Sequence, residues 1–112
     1  DLITAFHVAE HLPFPRLIEL IVLARRAIKP GGILILETPN PENLQVGANT
    51  FYMDPTHLHP LPPALLAFSA KSQGFSKTHI ERLHPYYPEH EQHNETDKLL
   101  FGAQDYALIA WK

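Results

Sequence analysis

Three residues near the start of the chain carry side chains suited to proton transfer at close spacing: His7, Glu10 and His11. A histidine can take a proton from a substrate hydroxyl, because its unperturbed pKa lies near working pH. A second group follows in a proline-rich segment: Tyr52, Asp54, His57 and His59. Glu37 and Asn40 stand between the two groups. His11, with His57 or His59, supplies the candidate bases. Glu37, Asn40, Tyr52 and Asp54 are candidates for contacting a polar acceptor, and the Tyr52 ring could stack on a sugar. Each has a structural alternative. Glu10 and His11 could brace a loop and cap the next helix, and the proline-rich segment could be a lid held by its own side chains.

His7, Glu10 and His11 also spell H-x-x-E-H, an inverted zinc-peptidase signature that needs one helix to present both histidines. An apolar strand precedes it and Pro13 follows it closely, so helical presentation is not expected. The expectation is a site without a metal, with a divalent cation on Glu10 and His11 as the open alternative. His90 and His93 fall in the polar run 85–98, expected to be a solvated surface loop. Arg25 and Arg26 read as a solvated helix face.

The elements that must position these residues are legible in outline. Residues 2–6 form a short apolar run, expected to be a strand buried on both faces. Residues 15–29 have helical spacing, with Leu17, Leu20, Ile21, Ala24, Ala27 and Ile28 on one face. Ile18 and Val22 fall off that stripe. Lys29 suits the helix C-terminus, and Pro30-Gly31-Gly32 stops the helix. Ile33–Leu36 predicts a central parallel strand covered by helices. Strand, helix and strand in succession make a right-handed crossover. In such sheets ligands sit at the carboxyl ends of the strands, so the exit at Glu37–Asn40 should face His7–His11. Residues 39–62 predict an ordered loop or set of short turns. A second helix is expected over 63–73, closed by Gly74 and Phe75. Strands follow at 76–83 and 105–112, the latter with Tyr106, Leu108 and Ala110 on one face.

Bulk properties narrow the function classes. The chain has 112 residues, enough for one core. Its net charge of −3 does not mark a nucleic-acid binder. No apolar run approaches the roughly 20 residues that span a bilayer. Cysteine is absent, which fits a reducing compartment, and a cytoplasmic location is expected.

Several segments together resemble the C-terminal half of a class I S-adenosylmethionine-dependent methyltransferase. Asp1–Leu12 (DLITAFHVAEHL) is similar to the family's fourth strand and its exit. Leu23–Thr38 (LARRAIKPGGILILET) is similar to the next helix end and fifth strand. Gln73-Gly74-Phe75 precedes a sixth strand, and DYALIAWK would be the seventh, inserted antiparallel between the fifth and sixth. ETPNPEN and FYMDPTHLHPLPP resemble bacterial members associated with lipopolysaccharide and surface-glycan assembly.

The resemblance implies a Rossmann-like α/β sheet with helices on its faces and methyl transfer from S-adenosylmethionine. The acceptor would be an oxygen of a small molecule or glycan precursor. It also implies that Phe6, His7 and Val8 line the cofactor pocket. The family's glycine-rich loop and the acidic residue that binds the cofactor ribose have no counterpart here. The expectation is that residues 1–112 form a partial domain whose cofactor-binding half, roughly one hundred residues, lies upstream. The alternative is a non-catalytic assembly module, associating through Ile18, Val22 and an open sheet edge at Asp1–Phe6.

Overall fold

The computed structural model describes residues 1–88 and 94–112. Strand β1 (Leu2–Phe6) leads through a single 3-10 turn (Ala9–His11) into helix α1 (Phe14–Ala27). Strand β2 (Ile33–Pro39) and the short helix α2 (Leu44–Ala48) follow, then a 3-10 turn (Thr50–Met53) and helix α3 (Pro63–Ser72). Strand β3 (Lys77–Leu83), helix α4 (Glu95–Phe101) and strand β4 (Asp105–Trp111) complete the described chain. The strands form one sheet in the order β1-β2-β4-β3. β1 and β2 are parallel, and β4 runs antiparallel to both of its neighbours. This is the mixed α/β sheet, with an antiparallel last strand, that the family resemblance implies.

Local chemistry explains the helix limits. Pro13 and Pro15 sit at the start of α1, where a missing N–H costs nothing. Leu17, Ile21 and Ala24 bury one stripe. The helix ends at Ala27, two residues before Lys29. The residue preceding a proline is driven away from helical geometry, and Ile28 is already extended. Gly31, at φ 83°, then turns the chain into β2.

The core lies on one face of the sheet. Leu34 and Leu36 of β2 and Tyr106, Leu108 and Ala110 of β4 meet Leu17, Ile21 and Ala24 of α1 and Leu66 and Ala70 of α3. Both long helices therefore pack on the same side. This corrects the expectation for β1 and β2. In β1, Ile3 and Ala5 turn towards the core, while Leu2 and Phe6 are 60% and 58% exposed. In β2, Ile33 and Ile35 remain partly exposed. An apolar strand reads as doubly buried only if both faces are covered, and among the described residues the packed core lies on one face.

The segment after β2 is ordered by two asparagines. Asn43 caps α2, its Oδ1 accepting from the N–H groups of Gln45 and Val46. Its Nδ2 donates to the Gly102 carbonyl at 3.0 Å. Asn40 Nδ2 donates to the Ala103 carbonyl at 3.0 Å, and its Oδ1 accepts from Glu42 N–H. Glu42 receives two hydrogen bonds from Arg82 of β3. The run 85–98 is not one loop. Asn94 and Asp97 form a reciprocal capping box that opens α4, and Leu99, Leu100 and Phe101 continue it. His90 and His93 lie outside the described residues. No described helix is long and apolar enough to cross a membrane.

Tyr106 is fully buried, and its hydroxyl donates to the Leu61 carbonyl at 2.7 Å. Burial, with Glu42 and Glu10 nearby, pushes the phenol well above its ordinary pKa, so it stays a donor. Tyr106→Phe leaves the Leu61 carbonyl buried without a partner and should cost about 1–2 kcal/mol in urea unfolding. The Arg82 bonds hold Glu42 below the usual carboxylate range. Their contribution is present above that range and is lost as pH falls through the lowered folded value. In Arg82→Ala the Glu42 titration should return upwards in carboxyl NMR, with a stability loss of under about 1 kcal/mol.

Candidate active site

The site lies where β1 and β2 end side by side, as expected for a crevice at the carboxyl edge of a parallel pair. At the end of β1 the chain turns sharply, because His7 takes the left-handed conformation at φ 56°. Histidine is among the residues enriched there. Its N–H donates to the Glu37 carbonyl at 2.8 Å, which locks the exit of β1 to β2. The His7 ring then lies between two carboxylates, with Nε2 2.8 Å from Glu37 Oε2 and Nδ1 3.3 Å from Glu10 Oε2.

Glu10 sits in the turn that follows and is 1% exposed. A carboxylate at that depth requires partners. Its Oε1 accepts from the Thr38 hydroxyl at 3.1 Å. Its Oε2 faces His7 and lies 4.0 Å from His57 Nε2. The proline-rich segment is tied to this turn by a backbone bond, Leu58 N–H to the Glu10 carbonyl at 2.9 Å. That single bond brings His57 beside Glu10 and His11. The His11 and His57 rings meet edge to face with centroids 4.8 Å apart.

Hydrogen bonds fix the tautomer of both rings. His57 Nδ1 lies 2.6 Å from the Phe51 carbonyl, which can only accept, so Nδ1 carries the proton, and in the neutral ring Nε2 holds the lone pair. The Thr56 hydroxyl donates to Asp54 Oδ1 at 2.6 Å, since the carboxylate has no proton to give. Thr56 Oγ1 must then accept from His11 Nδ1, at 2.8 Å, and His11 Nε2 is left as the acceptor. Asp54 is held below its usual pKa by the Thr56 hydroxyl first, then the Thr56 N–H, then His57 and His11. In their neutral forms the two imidazoles thus present Nε2 lone pairs beside the carboxylates of Glu10 and Asp54, the latter 3.5 Å from His57 Nε2.

The structure does not gather every sequence candidate here. His59 packs edge-on against Phe14, and its Nδ1 is buried without a hydrogen-bond partner. Asn40 is 2% exposed and has both amide atoms committed to backbone groups. Tyr52 is exposed and touches Phe51 edge to face. Phe6 and Val8 flank His7 with their side chains largely in solvent. His7, Glu10 and His11 are not presented by one helix, so the peptidase arrangement is absent. Thr38 and Thr56 escaped the sequence reading. Thr56 was findable, since Asp54 caps its N–H two residues on in an Asx-turn. Thr38 was not, because its role depends on strand pairing.

The fit to a bound S-adenosylmethionine is partial. The residues that would border it are those at the exit of β1, Phe6 to Val8. Among the described residues no glycine-rich turn joins a strand to a following helix, because Gly31 and Gly32 end one instead. In 15N spectra of the neutral rings, His11 and His57 should both show a protonated Nδ1 and a bare Nε2. Thr56→Val should release that preference in His11 while leaving it in His57.

No protein-family model matches the chain, and no curated protein matches it. Solved structures do. A SAM-dependent methyltransferase from Archaeoglobus fulgidus is 33% identical at a TM-score of 0.84, over 100% of this chain and 59% of that one. A Nostoc punctiforme PCC 73102 protein, provisionally assigned as an O-methyltransferase, matches at 16% identity and a TM-score of 0.68 over 31% of its length. The small RNA methyltransferase HEN1 matches at 18% identity and a TM-score of 0.65 over 14% of its length. The chain thus spans less than two thirds of each of these relatives, and it has the class I methyltransferase fold.

Proposed function

We propose that this chain forms the acceptor side of an S-adenosylmethionine-dependent methyltransferase that acts on oxygen. The observation that carries the reading is the 33% identity and TM-score of 0.84 to the archaeal methyltransferase over the whole chain. The rest of that relative has no counterpart here. An apolar groove of about 710 Å³ along β1 and α1, lined by Ile3, Ala5, Leu12, Leu20 and Leu23, is surface of the kind a further packing layer covers. This supports reading the chain as a partial domain.

The bound cofactor would supply a methyl group on a sulfonium. The chain's own residues then have two tasks, to orient the acceptor hydroxyl and to remove its proton. His57 and His11 are built for the second, each with Nδ1 anchored and Nε2 free. Glu10 and Asp54 stabilise the imidazolium that forms at His57. Glu37 and Asp54 border the crevice and can accept from acceptor hydroxyls, and the exposed Tyr52 ring can stack on a sugar. These features, with the likeness of ETPNPEN and FYMDPTHLHPLPP to surface-glycan enzymes, favour a small hydroxylated or glycan-precursor acceptor.

The test uses the protein with whatever precedes Asp1. Calorimetry should detect S-adenosylmethionine binding, and its absence would sink the reading. His57→Ala should lower turnover by about 10²–10⁴-fold while cofactor affinity stays close to that of the parent.

A further inference from the structure

Glu10, His11 and His57 each offer a ligand atom, and the three atoms lie within 4.8 Å of one another. We propose that they hold a divalent first-row transition cation, with open positions facing the crevice. Proximity alone would not carry this, because acidic and imidazole groups often cluster without an ion. The support lies in how the other atom of each ligand is held. Metal-binding histidines nearly always anchor their second nitrogen on a carbonyl, carboxylate or other polar group, and ligating carboxylates are likewise hydrogen-bonded.

All three residues meet that condition. His57 Nδ1 is anchored on the Phe51 carbonyl, His11 Nδ1 on the Thr56–Asp54 pair, and Glu10 Oε1 on Thr38. His57 and His11 each leave Nε2 unspent, and Glu10 leaves Oε2 with only the 3.3 Å contact to His7 Nδ1. Glu10 Oε2 is also a buried carboxylate oxygen whose one donor, His7 Nδ1, makes a long bond of 3.3 Å, while His57 Nε2 faces it from 4.0 Å without donating. A cation would satisfy it.

The donor set of two imidazoles and one carboxylate selects zinc, iron, cobalt or manganese over magnesium or calcium, which prefer all-oxygen sites. Metal–ligand bonds of about 2.0–2.2 Å place ligand atoms about 3–3.5 Å apart. From separations of up to 4.8 Å the widest pair must therefore close by about 1.5 Å. His11 is only partly buried and can turn about its side-chain bonds to allow this.

The cation's role rests on the methyl-transfer reading, although the site itself does not. A hydroxyl coordinated at an open position has its pKa lowered, and its proton leaves to solvent. His11 and His57 then act as ligands, and the cation replaces the imidazole base.

The test is a titration of the metal-free protein with Co²⁺, read by visible d–d absorption. One equivalent should produce bands of a nitrogen- and oxygen-ligated ion. His11→Ala and His57→Ala should each weaken binding by at least about tenfold, and Thr56→Ala, which touches only the outer shell, by about tenfold. His79→Ala, in a surface pair with Glu81, should change nothing. Circular dichroism confirms that each variant is folded, and the two histidine variants avoid dependence on buried Glu10. No bands up to millimolar Co²⁺, or bands that survive in both histidine variants, would overturn the site. Methyl transfer that persists in chelator would overturn the cation's role and spare the proposed activity. A bound cation in a protein that never binds S-adenosylmethionine would do the reverse.

Discussion

The buried carboxylate of Glu10 is the constraint on which the rest of the site depends. Taking an anion out of water costs several kcal/mol unless its partners are delivered with good geometry. Those partners come from separate parts of the chain. Thr38 arrives at the end of β2 and His7 from the bend that closes β1, and the His57 ring from the proline-rich segment closes over the carboxylate at 4.0 Å. Each has to be in place for Glu10 to stay buried. The parallel register of β1 and β2, which sets Phe6 opposite Glu37, is what lines up the first two. The bond from Leu58 N–H to the Glu10 carbonyl delivers the third.

The proline-rich segment is held just as firmly from the opposite side. Asn40 and Asn43 both reach the turn before β4, and Tyr106 reaches forward to Leu61. Prolines at 39, 41, 55, 60, 62 and 63 lower the entropy that ordering the segment costs. The result is a wall for the crevice built from irregular backbone, yet anchored at three places on the sheet. Such anchoring is what a site needs when its geometry must hold to a fraction of an ångström.

Periodic features were legible in the sequence. The stripe Leu17, Ile21, Ala24 marked α1, and the alternation of Tyr106, Leu108 and Ala110 marked β4, though with apolar residues on both faces it did not say which face is buried. Features that depend on a distant partner were not. Five apolar residues cannot say how many faces of β1 are covered, and Asn40 looks like a site residue until Ala103 is brought next to it. The α4 cap was legible but lay inside a polar run that invited a loop assignment. At the site, the adjacent Glu10 and His11 were local and visible. The choice between His57 and His59 was not, because the turn from Asp54 to His57 breaks the alternation that would place both on one side.

The position of β4 has a consequence for how the molecule is made. It is the last of the four strands in the chain, yet it lies inside the sheet and pairs with β2 on one side and β3 on the other. Until it is synthesised, β2 and β3 have no contact through the sheet, and the Asn40 and Asn43 bonds and the Tyr106 anchor have no partners. Lys112 then closes the far end, exchanging backbone hydrogen bonds with Gly31 and Gly32. Pairings this distant in sequence form slowly. The anchors of the crevice wall therefore depend on one of the slower pairings, and until it forms β2 and β3 carry unpaired edges of the kind that make folding intermediates prone to aggregate.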